Sequence, residues 1–423
     1  MLLSFRCSNY RSIRDEQELS MMAGPTKNHE NHVIKIQDGH GDTIPVLKGA
    51  LIFGANGSGK SNVFKAMRFS SQLIIKNKPD FESTGYYMID PSYSKKPSMF
   101  EYEFELNGHV YRYGFEIMLS TKSVISEWLN EVFVDGEDIS IFIRDENGKI
   151  SFKNADYKLD VSCTSLFIQK GKDESFVKEG SNQKIIGDIC YWFYSSVATL
   201  RPEARMLYDY DLDDERNIVK MGQLLSFFDT GITGMNFYPH SEGEEDLTEV
   251  NNSRISRDSK IFRGKNAIYK KVGPYNQEMV LRCEHGVSKI PIRSDQESDG
   301  TQRLWNLSPV LLRDDREFVY IIDEMDRYLH PMAVYAFVEW FMKKNYKINK
   351  QLIIITHNTH LLDQDLIRRD EIWFTQKDHE GSTELYSLDD YNVRFDKKIE
   401  KAYLEGNFKG IPNIKLPDDL DDY

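Results

Sequence analysis

Two adjoining stretches decide the fold, Val46-Leu-Lys-Gly-Ala-Leu-Ile-Phe53 and Gly54-Ala-Asn-Gly-Ser-Gly-Lys-Ser61. The first is mostly apolar and predicts a buried strand over 46–53. The second fits the pattern GxxxxGK[ST], and the helical spacing of apolar residues after it predicts a helix over 62–75. A glycine-rich turn between strand and helix presents backbone N–H groups to an anion. The sequence therefore predicts a phosphate-binding loop.

The polar residues of this loop have separate predicted tasks. Lys60 is expected to neutralise the β- and γ-phosphates of a nucleotide and to act in catalysis, and Ser61 is expected to ligate Mg²⁺. The predicted nucleotide-binding residues of the loop are Gly54, Asn56, Gly57, Ser58, Gly59, Lys60, Ser61 and Asn62.

A second apolar run, Phe318–Ile322, ends in Asp323 and Glu324. With a phosphate loop upstream, Asp323 is predicted to hold Mg²⁺ or its water, and Glu324 to polarise the attacking water. A predicted helix over 332–346 separates this run from the next strand, Gln351–Thr356, so the two strands are expected to be parallel.

His357 follows the second of these strands. Parallel strands end at one edge of the sheet, where ligands bind in open α/β folds. His357 is therefore predicted to reach a γ-phosphate from that edge.

A fourth motif, Ser298-Asp-Gly-Thr-Gln302, precedes the acidic strand. A serine and a glycine at the start of a helix can bind a phosphate. The motif resembles the SGGQ-type signature of ABC-class ATPases, and this resemblance implies that Ser298 and Gly300 contact the γ-phosphate of a nucleotide that another subunit holds.

The order of these motifs resembles that of ABC-type ATPases, and the opening Phe5-Arg-Cys-Ser-Asn-Tyr-Arg-Ser-Ile13 is similar to the RecF/SMC-like branch. More closely, the chain resembles stand-alone bacterial AAA-type ATPases of phage-defence and abortive-infection loci (RloA, AbiLi and AriA types). The stretches that carry this resemblance are Phe228–Ile232, Asp323–Pro331, Thr356–Leu362 and Arg369–Phe374.

The resemblance implies an α/β P-loop NTPase fold: an ABC-type ATPase head with a β-rich N-terminal lobe and an inserted helical region. It also implies a head-to-tail homodimer, or a higher oligomer, with two ATP molecules in the interface. Lys60 and Ser61 of one subunit would face Ser298 and Gly300 of the other, with Asp326 communicating across the interface. Arg11 would lie near the nucleotide. The glutamine that contacts Mg²⁺ in such heads is not identifiable from the sequence, and Gln169 is one candidate for it.

The predicted organisation has four segments. Residues 1–170 form the first part of the head, with the phosphate loop and the β-lobe, in which Asn107-Gly108 between alternating runs predicts a hairpin. Residues 171–275 form a helical insertion followed by a polar, mobile loop over 241–263. Residues 276–410 complete the head, and 411–423 form an acidic tail.

Composition sets the class of protein. Hydrophobic residues are 40% and aromatic residues 12% of the 423, which indicates a globular chain. There is no run of 18 apolar residues, so no membrane partner is expected. The start turns polar too early for a signal peptide, and the four cysteines are isolated. A cytoplasmic protein is therefore expected.

Two functions remain open from the sequence. The first is an ATPase, converting ATP and water to ADP and phosphate, whose ATP-dependent dimerisation controls a separately encoded effector in anti-phage defence. A nuclease is one candidate effector, because the segment after His357 is short for a fused Toprim-type nuclease. The alternative is a DNA-repair ATPase that clamps DNA. The net charge of −13 argues against general attraction to nucleic acid, so this alternative needs the local basic run Arg254–Lys271, which also fits a solvated loop face.

Overall fold

A computed structural model gives the architecture of the protein. The residues that it describes are 1–76, 85–152, 162–178, 180–203, 210–212, 214–239, 253–254, 261–263, 268–272, 277–287, 289–344, 346–391 and 398–411. The chain divides into two compact units. The first comprises Met1–Thr199, Arg316–Met325 and Met342–Tyr423, and the second Leu200–Asp315 and Asp326–Phe341.

The secondary structure is mixed α and β. The helices are α1 (Lys60–Ile75), α2 (Glu174–Val177), α3 (Ser181–Ser196), α4 (Glu215–Phe227), α5 (Asp299–Leu312), α6 (Pro331–Lys343) and α7 (Ile399–Leu404). The strands are β1 (Leu2–Ser8), β2 (Gln17–Ser20), β3 (Val33–Gln37), β4 (Thr43–Leu47), β5 (Gly49–Gly54), β6 (Ser98–Leu106), β7 (His109–Met118), β8 (Ser123–Val132), β9 (Ile139–Arg144), β10 (Ile150–Phe152), β11 (Val197–Leu200), β12 (Ile232–Pro239), β13 (Ser253–Arg254), β14 (Ile261–Arg263), β15 (Ile268–Val272), β16 (Gln277–His285), β17 (Ile290–Arg293), β18 (Phe318–Ile322), β19 (Lys350–Ile355), β20 (Ile372–Lys377) and β21 (Thr383–Ser387).

The first unit is built on a six-stranded sheet in the order β11-β18-β19-β5-β20-β21. β18, β19, β5 and β20 are parallel neighbours, and every residue of β5, β18 and β19 is buried. Strands covered on both faces need apolar runs, which is why β5 and β18 and the Leu352–Ile355 part of β19 are hydrophobic. The predicted parallel pairing of the acidic strand with the next strand is confirmed.

The structure corrects the single strand predicted over 46–53. The run divides at Lys48, whose N–H donates to the carbonyl of His32 at 2.8 Å. Residues before it belong to β4, which pairs with β3, while residues after it form β5 in the central sheet. An apolar run cannot show this division, because Val46 and Leu47 of β4 are as buried as the residues of β5, although they belong to a different sheet.

An antiparallel seven-stranded sheet forms the β-rich lobe, in the order β10-β9-β8-β7-β6-β1-β2. β6 alternates buried and half-buried residues, as a sheet with one covered face requires. Asn107 and Gly108 join β6 to β7 with φ of 57° and 79°, the left-handed pair of a two-residue hairpin. The predicted β-lobe and its hairpin turn are confirmed.

A buried carboxylate fastens the segment after this lobe. Glu127 on β8 is 0% exposed and accepts hydrogen bonds from the N–H groups of Phe167 (2.6 Å) and Ile168 (2.9 Å) and from the Tyr113 hydroxyl (2.9 Å). Burial raises the pKa of Glu127 to about 7, although these donors and the Arg144 guanidinium favour the charged form.

The second unit carries its own sheet in the order β12-β16-β15-β14-β13, with β17 paired to β16. α4 packs on it through Ile218, Met221 and Leu225. The predicted helical stretch 171–275 thus contains α2, α3 and α4 and also β11 to β15. Of the predicted mobile loop over 241–263, all but β13 and β14 lies outside the described residues.

Among the described residues, no helix is long and apolar enough to cross a membrane.

The raised pKa of Glu127 predicts a pH-dependent stability. Its folded value of about 7 exceeds the ordinary value of 4.5, so its contribution is present below pH 4.5 and is lost as the pH rises through 7. We expect Glu127→Gln to abolish that component, which amounts to roughly 3 kcal/mol between these limits. The free energy of unfolding, measured by denaturant titration across this pH range, tests it. Glu116→Gln on β7 is the control, and identical pH profiles of wild type and Glu127→Gln would contradict the assignment.

Candidate nucleotide-binding site

The phosphate loop joins β5 to α1 and depends on three glycines with positive φ: Gly54 (154°), Gly57 (78°) and Gly59 (109°). A Cβ on Gly54 would lie 2.5 Å from Thr375 Oγ1, and one on Gly59 would lie 2.0 Å from Thr383 Oγ1. A Cβ on Gly57 would meet nothing within 4 Å. Glycine is therefore favoured at 54 and 59 both by the positive φ and by the lack of room for a Cβ. At 57 only the positive φ favours it.

The N-terminus of α1 faces this loop. The helix begins at Lys60, two residues earlier than predicted, because Gly59 is its N-cap. Gly59 provides no side-chain cap, which leaves the helix N-terminus accessible to an external anion. Asn56 and Gly57 are exposed at the tip of the loop, while Ser58 is buried.

The Lys60 side chain is buried and bonds to the backbone of the phosphate loop. It is 5% exposed, and Nζ donates hydrogen bonds to the carbonyls of Gly54 (2.6 Å) and Ala55 (2.9 Å). The ammonium charge is thus held against the loop backbone, beside the helix N-terminus.

Ser61 and Asp323 meet although they are far apart in sequence. Ser61 Oγ donates to Asp323 Oδ1 at 3.2 Å. Burial raises the pKa of Asp323, against the lowering effect of the Ser61 hydrogen bond, and the charge of Glu324 adds to the rise. A hydroxyl and a carboxylate are oxygen donors of the kind that Mg²⁺ prefers, so this pair fits the predicted metal ligands.

Glu324 has a left-handed backbone, with φ of 44°. The next residue, Met325, donates its N–H to the carbonyl of Ile355 at 3.2 Å, which ties the end of β18 to the end of β19. Such a conformation costs about 1 kcal/mol for a residue with a side chain, and it directs Glu324 out of the strand direction.

His357 lies two residues beyond β19 and is exposed. Because β5, β18 and β19 are parallel, the loop, the acidic pair and His357 all leave the same edge of the sheet. This is the arrangement that the sequence predicts.

The N-terminal segment contacts the start of α1 through Ser12, the residue after Arg11. Asn62 Nδ2 donates to Ser12 Oγ at 2.6 Å, so the first turn of α1 contacts this segment. Arg11 itself has φ of 53°, and its N–H donates to the carbonyl of Gly85 at 2.7 Å.

The motif Ser298–Gln302, predicted to contact the nucleotide of another subunit, lies at the start of α5 in the second compact unit of this chain. Ser298 is the N-cap of α5, and its Oγ accepts from the N–H of Thr301 at 3.1 Å. Ser298 and Asp299 are exposed. A Cβ on Gly300 would lie 2.9 Å from the carbonyl oxygen of Tyr328, which favours glycine there.

Gln169 is not a magnesium ligand candidate in this structure. Its Nε2 donates to the carbonyls of Leu73 (2.6 Å) and Lys76 (2.8 Å), which caps the C-terminal end of α1. The helix has 16 residues, so that end is roughly 22 Å from the phosphate loop.

The sequence does not reveal two threonines that support the loop. Thr375 on β20 and Thr383 on β21 are fully buried, and both bond to Ser58. Neither belongs to a recognisable motif, because their position depends on the pairing of distant strands.

A family model described as "AAA domain, putative AbiEii toxin, Type IV TA system" matches residues 50–363, about three quarters of the chain. That range contains the phosphate loop, α5, Asp323, Glu324 and His357. The chain belongs to this AAA domain family. Its fold is that of a P-loop NTPase.

Solved structures similar to this AAA domain protein include the SMC head domain from Thermotoga maritima. The two are 14% identical, with 91% of this chain and 98% of that chain covered and a TM-score of 0.41. The SMC head bound to the C-winged helix domain of ScpA is 12% identical, with 93% and 98% covered and a TM-score of 0.40. No curated protein matches the chain.

Two glycines of the loop provide a matched pair of substitutions. Gly57→Ala introduces only an unfavourable φ, so we expect a loss of unfolding free energy of about 1 kcal/mol. Gly59→Ala adds a steric clash with Thr383, so we expect a loss of at least about 3 kcal/mol. Denaturant titration of both variants measures the difference, and equal losses would show that Thr383 does not confine the loop.

Proposed function

We propose that this protein binds and hydrolyses ATP with Mg²⁺, and that Lys60, Ser61, Asp323, Glu324 and His357 form the site. The observation that carries the proposal is the 3.2 Å contact between Ser61 Oγ and Asp323 Oδ1. It joins the phosphate loop to the acidic strand, the two sequence features that together indicate a nucleotide triphosphate site.

Each of these groups has one task in the proposed reaction. Lys60 and the N–H groups of Gly57 and Gly59 bind phosphate oxygens, with Asn56, Ser58 and Asn62 shaping the loop. Ser61 and Asp323 would hold Mg²⁺, which when bound supplies positive charge at the phosphates. Glu324 accepts a proton from the attacking water, and His357 contacts the γ-phosphate.

We further propose that two copies close head to tail over the nucleotide. Ser298 is exposed and Gly300 is half-buried at the start of α5, so Ser298 lies on a surface that is open to another subunit's nucleotide. Arg11 is proposed to lie beside the nucleotide of its own subunit.

The proposed role is a switch whose ATP-bound dimer controls a separately encoded effector in anti-phage defence. The family description, which names a putative AbiEii toxin, and the resemblance of the sequence to defence ATPases support this role. Expressing the gene with its neighbours and counting plaques tests it. Protection that is lost with Lys60→Ala supports the switch, and a complete locus without protection excludes the defence role.

The first test of binding is Lys60→Ala. Removing the ammonium deprives the loop of its charge, so we expect the affinity for Mg²⁺–ADP to fall at least about 100-fold, below detection in a calorimetric titration. Lys76→Ala, at the exposed opposite end of α1, is the control and should bind as wild type does. Unchanged affinity in Lys60→Ala would refute the loop assignment.

The test of turnover is Glu324→Gln. The amide cannot accept a proton, so we expect hydrolysis to fall about 100- to 1,000-fold while ATP binding remains. In the presence of ATP, this variant should then accumulate as a dimer, which light scattering detects as a doubled mass. Glu405→Gln, after α7, is the control. Full hydrolysis by Glu324→Gln would exclude this residue as the base.

The DNA-clamping alternative stays a prediction of the sequence. In the basic run Arg254–Lys271, the residues 255–260 and 264–267 lie outside the described part of the chain. The alternative requires DNA-stimulated hydrolysis and binding that weakens with salt.

A further inference from the structure

A series of three hydrogen bonds connects the first turn of α1 to the phosphate loop through four polar groups. Asn62 Nδ2 lies 2.6 Å from Ser12 Oγ, Ser12 Oγ lies 2.7 Å from Thr383 Oγ1, and Thr383 Oγ1 lies 3.0 Å from the carbonyl oxygen of Ser58. It starts in the first turn of α1, passes through the segment after β1 and the first residue of β21, and returns to the loop.

The two end groups, the Asn62 amide nitrogen and the Ser58 carbonyl oxygen, fix the direction of all three hydrogen bonds in this series. An amide nitrogen only donates and a carbonyl oxygen only accepts. Thr383 must therefore donate to Ser58, Ser12 must donate to Thr383, and Asn62 must donate to Ser12. Each hydroxyl gives one hydrogen bond and receives one, an arrangement in which neighbouring bonds polarise and strengthen one another.

The last bond acts on the peptide that joins Ser58 to Gly59. This peptide is planar and trans, so its N–H points opposite to its carbonyl. By holding the carbonyl of Ser58 toward β21, Thr383 directs the N–H of Gly59 away from β21. Gly59 is also the N-cap of α1, so this N–H belongs to the anion-binding end of the helix.

Burial and backbone pairing make Thr383 a rigid support. Its side chain is 0% exposed, and its own N–H donates to the carbonyl of Ser12 at 2.7 Å. The Ser58 side chain is held as well, by a 2.6 Å hydrogen bond between its Oγ and Thr375 Oγ1. The hydroxyl and the carbonyl of Ser58 are thus held by strands that follow the phosphate loop by more than 300 residues.

We infer that Thr383 is a positioning residue for nucleotide binding: its hydroxyl, held by Ser12 and Asn62, orients the Ser58–Gly59 peptide so that the Gly59 N–H is presented to a phosphate. This role rests on the proposed ATP site. Thr383 touches no phosphate itself, so it affects how tightly the nucleotide binds and leaves the proton transfer by Glu324 unchanged.

The test replaces only the hydroxyl. Thr383→Val keeps the shape and the backbone hydrogen bond, and it should raise the Kd for Mg²⁺–ADP and the KM for ATP about tenfold, with kcat within about threefold of wild type. Thr383→Ser restores the hydroxyl and should bring the Kd back to within about threefold. Calorimetric titration and steady-state hydrolysis give the two quantities.

Ser70→Ala controls for loss of stability. Ser70 is buried in the middle of α1 and bonds to Tyr102, so its removal should lower the Tm but leave the Kd unchanged. If Thr383→Val does not fold, Ser12→Ala takes its place, because it removes the donor to Thr383; it too should raise the Kd several-fold.

Three results would overturn the inference. They are a Kd within about twofold of wild type in Thr383→Val, equal weakening in Thr383→Val and Thr383→Ser, and changes in Kd that follow the Tm across all variants including Ser70→Ala. Absence of nucleotide binding in the wild type is a different result, since it removes the proposed function itself.

Discussion

The contact between Ser61 and Asp323 is the constraint on which the site depends. It requires the end of β5 and the end of β18 to lie at one edge of the central sheet, although 262 residues separate the two side chains. Parallel pairing through β19 brings this about, because strands that run the same way finish on the same side. The buried hydrophobic strands thus do more than form a core, since their register places the polar residues that follow them.

The phosphate loop is confined on the other side by β20 and β21. Gly54 lies against Thr375, and Gly59 lies against Thr383, too closely in both cases for any side chain. The same two threonines bond to Ser58. Steric confinement and hydrogen bonding therefore come from the same residues. A change at either threonine would alter both the space around the loop and the orientation of its peptides.

The β-lobe supports the opposite end of α1. Glu127 holds the backbone of Phe167 and Ile168, and the adjacent Gln169 caps the last turn of the helix. This capping role explains why the sequence misleads at Gln169. The resemblance to ABC-type ATPases made Gln169 a candidate for a magnesium contact, but its hydrogen bonds place it at the end of α1 opposite the phosphate loop. Only the packing of the 162–169 segment shows this.

The sequence by itself determined the parts of the site that local chemistry marks. The GxxxxGK[ST] loop, the acidic pair after an apolar strand, the histidine after the next strand and the serine cap of α5 are all visible as short patterns, because each needs particular residue types at fixed spacing. The parallel pairing followed from the strand–helix–strand order. Only the tertiary structure decided the division of the run 46–53 at Lys48, the sheet of the second unit, and the roles of Ser12, Thr375 and Thr383. Each of these features depends on which strands pair, and the contacts of Ser12, Thr375 and Thr383 join residues more than 300 positions apart. A buried hydroxyl has no local signature until the strand opposite it is known.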